Sequence, residues 1–136
     1  MTVLALSGVL GLLSALHVYW AVGGRWGIAA AIPTDGGRPL FSPSPAATWA
    51  VAAALAIAAI VPLVRGGLVA VPVTPRVSAW ASAVLAGVFF VRAVGDFRLV
   101  GFFKRGRGTA FAVRDTWLYS PLCLLLALGF VRIWLA

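Results

Sequence analysis

The chain offers few groups for acid–base chemistry: one histidine, His17, and three acids, Asp35, Asp96 and Asp115. An imidazole oriented by a carboxylate can act as general acid or base, so His17 with Asp96 or Asp115, and Tyr19 or Tyr119 as proton partner, form one candidate constellation. Ser120, His17 and Asp115 have the residue types of a nucleophilic triad, but no motif surrounds them. A metal centre is harder to assemble, because one His, one Cys and three Asp with no Glu supply too few ligands. No cofactor is called for. The second candidate chemistry is anion capture. Between Val94 and Cys123 lie five of the eleven basic residues and two of the three acids. Arg98, Lys104, Arg105, Arg107 and Arg114 could hold a phosphate or carboxylate by charge-assisted hydrogen bonds, with Tyr19 and Ser120 adding hydroxyl groups.

These residues are scarce because the rest of the chain is apolar. Of 136 residues, 62% are hydrophobic and 10% charged, and the mean hydropathy is +1.05. A soluble surface needs more polar residues than that. About 20 apolar residues cross the hydrocarbon layer, and four stretches qualify: 3–22, 46–64, 77–94 and 116–135. Backbone groups must be satisfied inside lipid, so an all-α integral membrane bundle of four transmembrane helices, forming a single domain over 1–136, is expected. The first stretch lacks a positive n-region and a small-x-small cleavage site, so it is expected to stay as the first helix. The net charge of +8 then reads as a topology signal and as attraction to anionic lipid headgroups, not as nucleic-acid binding. Cys123 permits no internal disulfide and reads as a packed thiol.

Within the spans, Ser7, Gly11 and Ala15 repeat at four-residue spacing, as do Ala79, Ala83 and Gly87. Small stripes allow close approach, which predicts that the first and third spans pair tightly. Tyr19 and Trp20 fit an interfacial aromatic belt, and His17 lies one turn further in, where an ionisable group faces protein or a wet cavity. The first loop contains Asp35-Gly36-Gly37 and several prolines, a turn signal, while Trp26 to Ile32 suits the membrane surface. Arg92 and Asp96 are four apart and are expected to pair if the third helix continues that far. Asp115 and then Ser120-Pro121 give two successive helix-start signals, which predict a kinked or broken start to the fourth span. Freed N–H groups at the Pro121 helix end would then favour an anion.

With four spans, loops 1 and 3 share one face. Eight basic residues (Arg25, Arg38, Arg92, Arg98, Lys104, Arg105, Arg107, Arg114) stand there against Arg65, Arg76 and Arg132 opposite. The positive-inside rule places loops 1 and 3 in the cytoplasm and both termini outside.

Four motifs in order carry a likeness across nearly the whole chain: His17-Val18-Tyr19-Trp20 through Arg25-Trp26-Gly27; Pro33-Thr34-Asp35-Gly36-Gly37-Arg38-Pro39; Gly95-Asp96-Phe97-Arg98; and Phe111-Ala112 with Asp115-Thr116 and Tyr119-Ser120-Pro121-Leu122-Cys123. Together they resemble the small bacterial membrane proteins grouped as domain of unknown function 3995. The resemblance implies a four-span protein of a bacterial cytoplasmic (inner) membrane and carries over no catalytic residues. The residues themselves favour a protein binding an anionic lipid headgroup or small anion at loops 1 and 3. Competing with it are an intramembrane enzyme built on His17, an oligomeric channel or transporter, and a structural subunit of a homo-oligomer or larger membrane complex.

Overall fold

Ser and Thr hydroxyls start the helices. In the computed structural model, which describes all 136 residues, Thr2, Ser44, Thr74 and Thr109 each accept the backbone N–H three residues on. The helices that follow are α1 (Val3–Ala21), α3 (Pro45–Arg65), α4 (Pro75–Val94) and a continuous run from Ala110 to Leu135. A proline occupies the first turn of α3 and of α4, where its missing N–H is not needed. Loop 1 adds the short helix α2 (Ile28–Ala31) and a two-residue hairpin, β1 (Thr34–Asp35) with β2 (Arg38–Pro39). Gly36 and Gly37 supply the positive φ that this hairpin turn demands, 56° and 78°. The fold is all-α, with four helices long and apolar enough to cross a membrane.

The last run begins six residues before the expected 116 and is not broken. It comprises α5 (Ala110–Arg114), a π-helical turn (Asp115–Tyr119) and α6 (Ser120–Leu135). Asp115 therefore sits inside the helix and does not cap it; Thr109 is the cap. In a regular helix the Pro121 ring would crowd the carbonyl four residues back. The wider turn relieves this, with Ser120 N–H reaching back to the Asp115 carbonyl. Because the chain stays helical through Pro121, no open helix end faces loop 3.

Packing also departs from the small-residue stripes. α1 packs on α3, and α4 packs on α6, giving two consecutive helical pairs with lighter contact between them. Gly11 and Gly87 have open space where a Cβ would lie, so neither marks a close helix crossing. The pairs meet in a core of Leu6, Leu10, Ala58, Ala86, Leu126, Phe130 and Ile133, where Phe130 stacks on Phe89 at 5.9 Å. Polar fasteners cross it: Ser14 Oγ donates to Ala52 O at 2.8 Å, and Arg65 donates to the Ile133 carbonyl at 2.9 Å. Outward positions such as Leu12, Ile57, Val84, Phe90 and Leu128 are exposed and apolar, while Ser78, Ser82 and Asp115 are buried. That inversion suits lipid, which solvates apolar side chains and leaves polar ones to find partners inside.

Candidate functional site

Loop 3 is a folded structure. α4 stops at Gly95, whose φ of 87° only glycine adopts easily, and the chain doubles back so that Phe102 N–H donates to Ala93 O at 2.9 Å. Asp96 is thereby carried off the helix. Its Oδ1 accepts the N–H groups of Arg98, Leu99 and Val100 at 2.9, 2.8 and 3.0 Å. It does not pair with Arg92, because the helix that would have aligned them ends first.

The amides of Leu99 and Arg98 hold the Asp96 carboxyl below the usual carboxylate range, against a small opposing effect of burial. A carboxyl whose folded pKa is depressed stabilises above its unfolded value, about 3.9. That contribution is lost as pH falls through the lower folded value. Protection of the Arg98, Leu99 and Val100 amides from exchange, taken relative to the intrinsic rate at each pH, should therefore fall in acid below about pH 4. Asp96→Asn, which cannot ionise, should abolish the pH dependence; identical profiles for the two proteins would refute this.

Arg92 turns instead to Asp115, 23 residues away, with Nη2 to Oδ1 at 2.8 Å. The other carboxylate oxygen accepts Gly101 N–H at 2.6 Å and Lys104 Nζ at 3.0 Å. Lys104 spends its remaining donors on Gly101 O at 2.9 Å and Thr116 Oγ1 at 2.6 Å, and Thr116 passes its own hydrogen to Ala112 O. An ammonium has three hydrogens. All three are used, and Lys104 is 2% exposed. Lys104 is therefore a buried internal partner and not a surface charge waiting for a ligand, which corrects the expectation for it. The cluster holds two cations and one carboxylate. Its excess charge rests at Arg92, whose side chain is 35% exposed and whose Nη1 has no partner.

The other candidates are spread over the same end of the bundle. Arg98, Arg105 and Arg114 are exposed, and Arg98 lies 3.9 Å from Asp35, a solvated pair of little energetic weight. Ser120 is fully buried and its Oγ has no partner. Tyr119 Oη donates to Ala30 O at 3.0 Å, pinning α2 to the last helix. Tyr19 folds under Gly24, whose Cβ position its ring would occupy, and its hydroxyl accepts Trp26 N–H.

His17 stands apart from this cluster. Its Nδ1 bonds to Leu13 O at 2.8 Å and its ring meets Trp20 edge-on at 5.0 Å. No hydrogen bond joins it to Asp96, whose Oδ1 is held by loop 3 amides, or to Asp115, whose oxygens are held by Arg92, Gly101 and Lys104. It lines a cavity of about 460 Å³ between α1, loop 1 and the start of α3, together with Trp20, Ile32, Phe41, Ser42 and Thr48.

The family described as "Protein of unknown function (DUF3995)" matches residues 10–130. The chain belongs to it. No curated protein and no solved structure matches the sequence. The DUF3995 match spans His17, Arg92, Lys104 and Asp115, and so contains both the ion cluster and the cavity. Two members of this cluster are not among the site residues expected from the sequence: Arg92, expected to pair with Asp96, and Thr116, expected only as the start of the fourth span. A buried carboxylate is a signal that could have found them, since Asp115 inside a helix must collect cations and hydroxyls from whatever packs against it.

Proposed function

We propose that this multi-pass membrane protein binds an anionic lipid headgroup at the loop 1 and loop 3 face, with Arg92 as its inner anchor. What carries the proposal is the imbalance at Asp115: two cations share one carboxylate, and Arg92 keeps a buried Nη1 without an acceptor. Leaving such a donor unpaired is costly, and a phosphate oxygen would satisfy it. Arg92 lies in the last turn of α4, at the loop 3 end of that span, and its side chain is 35% exposed. Exposed Arg98, Arg105, Arg107 and Arg114 raise the local concentration of anionic lipid without having to contact it. In this proposal loops 1 and 3 face the cytoplasm across a bacterial inner membrane, and the bilayer's anionic lipids are the partner.

Arg92→Gln tests it cleanly, because Asp115 keeps Lys104 and Gly101 and the fold is retained. Wild type and variant are released gently from nanodiscs of mixed phosphatidylglycerol and phosphatidylcholine and weighed by native mass spectrometry. Wild type should hold phosphatidylglycerol, and Arg92→Gln should hold roughly ten-fold less, the equivalent of one charge-assisted hydrogen bond. Arg98→Ala and Arg114→Ala should show smaller losses that vanish at high salt. Equal retention by wild type and Arg92→Gln would refute the proposal.

A further inference from the structure

We propose that the His17 cavity binds a neutral, membrane-dissolved alcohol or phenol through its hydroxyl group. The hydrogen-bonding polarity of the lining carries this. Nδ1 faces the Leu13 carbonyl, an acceptor, so that nitrogen bears the hydrogen. In the neutral ring Nε2 then presents a lone pair, and it has no partner in the protein. Across the cavity Thr48 Oγ1 donates its only hydrogen to Ser44 O at 3.0 Å, leaving lone pairs there too. The Trp20 indole N–H is committed to Trp26 O at 2.8 Å, so the ring serves as an apolar wall. Nε2 and Thr48 Oγ1 can only accept, while the Ser44 hydroxyl, which also lines the cavity and accepts Ala47 N–H, keeps a hydrogen to give, so the lining suits a ligand hydroxyl that both donates and accepts.

Charge narrows the class. A cationic amine also donates, but it cannot accept the Ser44 hydrogen, and loop 1 carries exposed Arg25 and Arg38 in a chain of net charge +8. A neutral hydroxyl meets the acceptors without that repulsion. Ser42, with no hydrogen bond of its own and an exposed hydroxyl, can rotate to accept or donate as the ligand requires. The volume of about 460 Å³ holds a ring or a branched head with the first part of a chain, and it falls within the roughly 300–1,000 Å³ range of small-molecule sites. Val51, which also lines the cavity, is exposed on the outer side of α3, so a longer tail can leave along the helix into lipid. None of these residues belongs to the Arg92 cluster, and the two sites stand or fall separately.

His17 is the only histidine, so protein grown with ¹⁵N-histidine gives ring signals from this residue alone. In nanodiscs of neutral lipid the Nε2 resonance is followed while farnesol or 4-nonylphenol is added, and then with the methyl ether of each. The ethers keep the shape but have no hydrogen to donate. A saturable Nε2 shift with either hydroxyl compound, at least ten-fold weaker with its ether, is the expected result, and the stronger of the two identifies an aliphatic or an aromatic source. Val51→Trp, which fills the cavity from its lipid side without touching the His17–Leu13 bond, should abolish the shift. Equal shifts with alcohol and ether, no shift with either, a shift only with an alkyl phosphate, or an undiminished shift in Val51→Trp would each overturn the assignment.

Discussion

Asp115→Asn should lower stability by about 3–5 kcal/mol, the cost typical of stranding a buried charge. Asp115 is fully buried and receives three hydrogen bonds, from Arg92, Gly101 and Lys104. Asparagine keeps one acceptor oxygen and turns an amide hydrogen pair either toward Arg92 or toward Lys104 and the Gly101 N–H. Lys104 is the more damaged partner, because at 2% exposure it cannot reach water, whereas Arg92 can extend toward the headgroups. Unfolding in a mixed-micelle titration followed by tryptophan emission measures the loss. The double replacement Lys104→Met with Asp115→Leu should recover most of it, since both fully buried charges are gone and the remaining ion, Arg92, is 35% exposed and can extend toward the headgroups. A single variant within about 1 kcal/mol of wild type would show that the cluster does not carry loop 3.

Gly101→Ala should be nearly as damaging, through the backbone alone. Gly101 has a φ of 90°, and a Cβ there would run into the Val94 carbonyl and the Gly95 backbone. Positive φ by itself costs an ordinary residue about 1–3 kcal/mol, and the clash adds to it. The same strand of loop supplies the Gly101 N–H that Asp115 accepts, so the ion cluster loosens as well. Trypsin reads the result directly, because Arg98, Lys104, Arg105 and Arg107 are cleavage sites within the loop. Gly101→Ala should be cut there at least ten-fold faster than wild type, while Gly108→Ala, with open space around its Cβ position, should be cut at the wild-type rate. Equal cleavage of the two variants would contradict the close approach of Gly95 and Gly101.

The spans were legible because length and hydropathy are local properties. Starts at 46 and 77 were close to Pro45 and Pro75; recognising Ser44-Pro45 and Thr74-Pro75 as cap and first turn would have placed both. The same step at Ser120-Pro121 misled, because only the π turn before it shows that the helix passes through. Hydropathy starts the fourth span only at 116 and so leaves residues 110–115 outside it. What makes them helical is neutralisation of Asp115 by residues 11 and 23 positions away in sequence, which no local window contains. The Arg92–Asp96 pairing failed for a related reason: the four-residue rule presumes a continuous helix, and Gly95 ends it. His17 was legible as an ionisable group inside a span. Its cavity was not, since Phe41 and Ser42 come back over α1 only after the hairpin has folded.

The pairing of α1 with α3 and of α4 with α6 bears on how the molecule is made. Each pair consists of consecutive spans joined by one loop, so each can close as soon as its second helix leaves the ribosome, before the other half has been synthesised. The contacts within a pair are close in sequence, and the loop-closure entropy they demand is modest. What then remains for the end of biogenesis is the docking of two finished hairpins, sealed by Leu6 against Gly129, by Arg65 on the carbonyl of Ile133, and by Tyr119 on the carbonyl of Ala30. Asp115 follows the same timetable: Arg92 and Lys104 precede it in the chain, so its carboxylate is never translated ahead of the cations that neutralise it.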